Sequence, residues 1–89
     1  MPFIGLDVLA IRHLARQLDI QSAEVDQAAN ELTRLIESTD WFGADSRRFL
    51  EQWHATQVPQ LKKSSALLKQ ASQLATRGAT KQEDVSRGR

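Results

Sequence analysis

The sequence predicts an all-α fold, an antiparallel two-helix hairpin that dimerises into a four-helix bundle. Three observations predict it. Apolar residues recur with a helical period on both sides of the middle of the 89 residues: Ile11, Leu14, Leu18, Val25, Ala28, Leu32 and Leu35 before it, and Leu50, Trp53, Leu61, Leu68, Ala71 and Ala75 after it. Spacings of three, four and seven belong to a helix face and not to a strand. Between the two series stand Ser38, Thr39 and Asp40, then Trp41, Phe42 and Gly43, a stretch that stops one helix, turns the backbone and starts another. The apolar stripe is also too wide for a lone pair of helices. A hairpin of this length covers one face of each helix, so a two-layer core needs helices from a partner.

Helix 1 is expected over about 7–38, roughly 45 Å long at 1.5 Å per residue. Asp7 is placed to cap its free amides and Leu6 to fold onto Ile11, with Pro2 and Gly5 holding the first residues outside. Read as heptads, one column is Ile4, Ile11, Leu18, Val25 and Leu32, and its companion is Asp7, Leu14, Gln21, Ala28 and Leu35. A third column, Val8, Ala15, Ser22, Ala29 and Ile36, widens the stripe beyond a coiled-coil seam. The association surface is therefore expected on Ile11, Leu14, Leu18, Val25 and Leu32, with Leu61 and Leu68 from helix 2. Leu9 and Ile20 fall off the stripe, either as isolated surface hydrophobes or as the edge of a second contact face.

The bend is expected over 39–43, with Trp41 and Phe42 capping the open end of the core. Gly43 supplies a conformation, or an approach, that a side chain would obstruct. Either Gly43 or Asp45 caps helix 2, and both choices put the Asp45 charge near the helix N-terminus. Helix 2 is expected over about 44–77. Phe49 and Trp53, four apart, share a face and predict the densest core, against Leu32, Leu35 and Ile36. Pro59 removes a hydrogen bond and crowds the preceding turn. It either kinks the helix near residue 55 or breaks it into 46–57 and 60–77, and the in-phase return of Leu61, Leu68 and Ala75 favours the kink. Lys62, Lys63 and Lys69 are expected to face outward. Gly78 is expected to end the helix, leaving 78–89 as a flexible polar tail.

The net charge of +1 conceals a polarity. Residues 1–45 carry eight acids against three arginines, a balance of −5, and residues 46–89 carry nine bases against three acids, a balance of +6. Antiparallel helices of opposite sign attract. The acidic half repels phosphate, and the bases spread over the whole second half, so nucleic-acid binding is not expected. His13 stands alone and His54 lies at the edge of helix 2, with Glu31 or Glu37 as possible neighbours. No paired carboxylates and no glycine-rich phosphate loop occur, so neither catalysis nor a cofactor is expected. There is no cysteine. The first residues lack the pattern of a signal peptide, and no run suits a bilayer span, so stable membrane insertion is not expected.

Trp41-Phe42-Gly43 is a W-x-G motif at the centre of a chain of this length, between two amphipathic helices, with Phe49 and Trp53 behind it. In these features the sequence resembles the WXG100, or ESAT-6-like, family of small helical hairpins exported by type VII secretion systems. The resemblance covers roughly residues 4–78. It implies a non-enzymatic secretion substrate, or helper of a larger effector, that leaves the cell without a cleaved signal peptide. It also implies a partner that is a second copy or another WXG100-like chain, and contact with the secretion machinery. Many members carry Y-x-x-x-D/E just past helix 2. This chain has no tyrosine, and Thr80 and Asp84 keep only the spacing and the acid. A partner that carries the signal for both would accommodate the difference. The alternative is a cytoplasmic helical adaptor or regulator that shares only the hairpin shape.

Overall fold

A computed structural model of the chain describes residues 4–86, with side chains described for 8–85. Helix α1 spans Ile4–Ser38 and α2 spans Ala44–Gln52. A π-helical segment follows at Trp53–Gln57, and α3 spans Val58–Ser86. The π segment runs on into α3, and α1 and α3 pack as an antiparallel hairpin in a rod of 67 × 17 × 14 Å.

The buried residues define a single seam. On α1 they are Val8, Ala15, Ser22 and Ala29, and on α3 they are Ser65, Ser72 and Ala79. Each set is spaced by seven residues, which keeps one column facing the neighbouring helix along its length. All but Val8 are alanine or serine, so the backbones approach closely. Serine hydroxyls exploit that approach. Ser22 Oγ donates to the Ser65 carbonyl at 2.8 Å and Ser65 Oγ donates to the Ser22 carbonyl at 3.1 Å, with the two hydroxyls 3.0 Å apart. Ser72 Oγ donates to the Ala15 carbonyl at 2.9 Å. A helical serine commonly bonds back to its own chain, whereas these three cross to the other helix. Each such bond contributes about 0.5–1.5 kcal/mol net. The seam is the third column of the heptad reading, at the margin of the apolar stripe yet at the centre of the contact between the helices.

Charges close one edge of the hairpin. Arg12 pairs with Glu83, Asp19 with Lys69 at 3.1 Å and Asp26 with Lys62 at 3.5 Å, and a hydrogen bond of 3.2 Å joins Glu37 to His54. Lys62 also donates to Asn30. Lys62 and Lys69, expected to face outward, thus bridge the two helices while remaining largely exposed. Each exposed pair is worth about 0–1 kcal/mol.

Two expectations about the helix ends are corrected. Helix α1 already includes Ile4 and Gly5, which places Asp7 inside the helix and not at its cap. The side chains of Leu6 and Asp7, and residues 1–3, lie outside the described residues. Helix α3 passes through Gly78 and continues to Ser86, so 78–86 is helix and not tail, and 87–89 lie outside the described residues. What holds this last stretch is visible. Ala79 is 0% exposed in the seam, and Arg12 reaches both Thr80 and Glu83.

Pro59 neither breaks the helix nor sits in an ordinary α turn. The Val58 N–H bonds to the Trp53 carbonyl, five residues back, so the turn ahead of the proline is one residue wider. That widening relieves the crowding a proline ring imposes on the preceding turn.

At the bend, the Ser38 and Thr39 hydroxyls both donate to the Leu35 carbonyl, at 3.1 and 2.6 Å, and occupy an acceptor that continued helix would have used. Gly43 is the N-cap of α2, with φ 113° and ψ −179°, and Asp45 lies in the first turn. A Cβ at Gly43 would meet nothing within 4 Å. The requirement is therefore conformational, in a region reached essentially by glycine alone.

Two measurements test this architecture. Ala29→Leu is expected to cost about 1–3 kcal/mol by overpacking the seam, read as a lower chemical-denaturation midpoint. In thermal melts, Gly43→Ala is expected to destabilise by about 1–3 kcal/mol. Gly78→Ala, inside a helix with open space for a Cβ, is expected to stabilise by about 0.5–1 kcal/mol. An unchanged Gly78→Ala melt would return residues 78–86 to a frayed tail.

Candidate protein-interaction surface

Because the seam is built of small residues, the large apolar side chains stand beside it. Among the described residues none is fully buried. The helical period places Leu14, Leu18, Val25, Leu32 and Leu35 of α1 on the flank of the seam away from the ion pairs. The same period puts Leu61, Leu67, Leu68 and Leu74 of α3 on that side of the hairpin. Leu14 is 52% exposed, Leu35 61% and Leu74 63%, with Leu32 and Leu67 also exposed. Ile11, Leu18, Val25, Leu61 and Leu68 are half-buried along the margin. The seven expected association residues therefore all border one apolar face. Leu67 and Leu74, seven apart, belong to it as well, although the heptad reading did not single them out. Leu9 and Ile20 are exposed away from it.

The bend end differs from its expected form. No residue of α2 or of the π segment is buried, so the densest packing is in the seam and not around Phe49 and Trp53. Trp41 packs on Phe49 with ring centroids 5.4 Å apart and planes tilted by 51°, yet both remain exposed. Phe42 is 85% exposed and caps nothing within the chain. Two helices leave the end of the hairpin open, and among the described residues no third element covers these rings. Trp41 and Phe42, together with Ile36, Leu50 and Arg47, border an open cleft of about 410 Å³.

Trp53 is the anchor of this end. Its Nε1–H donates to Thr33 Oγ1 at 2.8 Å, and Thr33 donates in turn to the Ala29 carbonyl at 2.7 Å. The wide π turn sets the rotation that brings Trp53 to α1 and the next residue, His54, to Glu37. Thr33 gave no signal in the sequence, since a lone threonine near a heptad column is unremarkable until a donor faces it.

Asp19 lies beside Ser72 and Lys69. The Ser72 hydroxyl, and then the Lys69 ammonium, hold its carboxyl below the usual range. The Ser72 proton is also engaged by the Ala15 carbonyl, which leaves Lys69 as the unshared donor. No group of three or more His, Asp or Glu side chains gathers to hold a metal ion among the described residues. No helix there is long and apolar enough to cross a membrane.

The chain matches no family model, no curated protein and no solved structure.

Two tests follow from the polar contacts. Trp53→Phe keeps the ring but removes the donor, with an expected cost of about 0.5–1.5 kcal/mol in a denaturation curve. A carboxyl lowered in the folded state stabilises the fold above its unfolded pKa, and that contribution is lost as pH falls through the folded value. Acid titration of stability is therefore expected to show a limb below the ordinary aspartate range that Asp19→Asn removes.

Proposed function

We propose that this chain works by protein–protein association and not by catalysis. The apolar face packs against a second hairpin to complete a four-helix bundle. The observation that carries this reading is the row of exposed leucines from both helices on one side of a hairpin whose buried seam, among the described residues, is alanine and serine apart from Val8. Contiguous exposed apolar surface of this kind marks an interaction site. The exposed Trp41 and Phe42 add a recognition element at the end of the same rod.

The W-x-G bend at Trp41 to Gly43 and the hairpin shape support a more specific role. We place the chain with the WXG100-like proteins, as a type VII secretion substrate or the helper of a larger effector that leaves the cell folded and without a cleaved signal peptide. A second reading, a cytoplasmic helical adaptor, draws on a separate observation. Thr80 and Asp84, at the spacing of the export signal, lie within α3, and the Thr80 hydroxyl faces Arg12.

Molecular mass across a concentration series, with circular dichroism on the same samples, tests the bundle. A helical dimer at low micromolar concentration is expected. Leu14→Asp or Leu74→Asp would bury a carboxylate in the dimer alone and is expected to weaken association by at least about 100-fold. A helical monomer at all concentrations, unchanged by either substitution, would refute the bundle. Expression in a host with an active type VII system separates the two roles. The chain in the medium, dependent on that system, supports the secretion reading, and retention in the cell supports the adaptor.

A further inference from the structure

We propose that two copies of this chain exchange α1. The bend of each copy opens into helix, and the α1 of one pairs along the seam with the α3 of the other. The surface involved is the seam itself. The apolar flank takes no part, so the inference stands apart from the four-helix reading.

The observation that carries exchange is a column that continues through the bend. On α1 the seam steps by sevens from Val8 to Ala29, and the next step reaches Ile36. Two further steps of seven give Gly43 and Leu50. From Leu50 the step to Val58 is eight, and sevens then lead to Ser65, Ser72 and Ala79. The step of eight crosses the π turn, where the Val58 N–H reaches the Trp53 carbonyl. That turn holds one extra residue, so eight residues there match the rotation that seven make elsewhere. With residues 39–43 helical, a single column would run from Val8 to Ala79. The closed hairpin does not require this, because five non-helical residues separate α1 from α2.

Little holds the bend closed. No residue of α2 is buried. The side-chain hydrogen bonds of the bend are local, from Ser38 and Thr39 to the Leu35 carbonyl and from Ser46 to the Gly43 carbonyl. Opening forfeits the contact of Trp41 with Phe49. It also releases Gly43 from its φ of 113°, and no proline between Ile36 and Leu50 bars helix there.

The contacts between α1 and α3 survive, because each re-forms between the copies. These include the Ser22 and Ser65 pair, the bond from Ser72 to Ala15, and the ion pairs of the charged edge. Ser22 stands level with Ser65 and Ala15 with Ser72, and the same levels place Gly43 against the partner's Ala44. Small residues then meet at the crossing, as they do along the seam. Ile36 comes within one residue of the partner's Leu50, so two side chains that border the open cleft gain apolar neighbours. Intramolecular closure favours the hairpin in dilute solution, and concentration favours exchange.

Ser22→Cys and Ser65→Cys, made as separate full-length variants, test this. The native chain has no cysteine, and the two hydroxyls lie 3.0 Å apart, close enough for a disulfide between the substituted positions. The variants are mixed at high concentration, warmed through the melting transition, cooled and oxidised. Exchange is expected to give a covalent dimer of one variant with the other. By small-angle scattering the exchanged rod is expected to be roughly 125 Å long, at 1.5 Å per residue of continuous helix, against 67 Å for the hairpin. Gly43→Ala in both chains is expected to raise the yield about tenfold or more, since alanine resists the closed bend and suits a helix. In a four-helix bundle of closed hairpins each thiol stays inside its own seam, and no mixed dimer forms. The chain carrying both substitutions closes its disulfide within one molecule and serves as the control. Hairpin-length particles with no mixed dimer overturn exchange and leave the four-helix reading untouched. A mixed dimer whose yield Gly43→Ala leaves unchanged overturns the bend as the point of opening.

Discussion

Close approach of α1 and α3 along a seven-residue repeat of alanine and serine is the constraint from which the other features follow. Helices separated by leucines stand roughly 8–10 Å apart, too far for a serine hydroxyl to reach the opposite main chain. Here Ser22, Ser65 and Ser72 make that reach, and Ala15, Ala29 and Ala79 fill the remaining levels. The contact resembles a zip of backbone against backbone more than an oily core. Its cost is that little apolar area is removed from water, and hydrophobic stabilisation scales with that area.

The two flanks of the seam are consequently unlike. One is tied by polar contacts, from the ion pair of Arg12 and Glu83 at one end to the hydrogen bond of Glu37 and His54 near the other. The other keeps its leucines in solvent. Pro59 participates in this division through the π turn ahead of it. The wider turn brings Trp53 onto Thr33 and His54 to the charged edge. A residue that in isolation signals a broken helix here sets the rotation of the segment before it.

A hairpin organised in this way has an inside for its own helices and a separate side whose leucines are exposed. That separation supports the association reading more directly than the bend motif does. The motif brings a secretion role into view, while the leucine row concerns any role that requires a partner. The exposed rings of Trp41 and Phe42 extend the apolar surface to the tip of the rod.

Much of this was legible in the sequence. The helical period, the stop at Ser38 to Asp40, the glycine at the bend and the opposite charges of the two halves determined the two-helix hairpin and the residues of its apolar face. These are local properties, readable from a few neighbouring residues at a time. The sequence did not reveal which heptad column faces the other helix, because apolar columns compete and only the match of Ser65, Ser72 and Ala79 to Ala15, Ser22 and Val8 decides between them. Nor did it reveal that helix persists past Gly78, where Ala79 and the grip of Arg12 on Thr80 and Glu83 outweigh a local stop signal. The π turn and the exposure of Phe42 belong to the same class. Each depends on what lies across the hairpin or is missing from its end, and tertiary structure alone decides that.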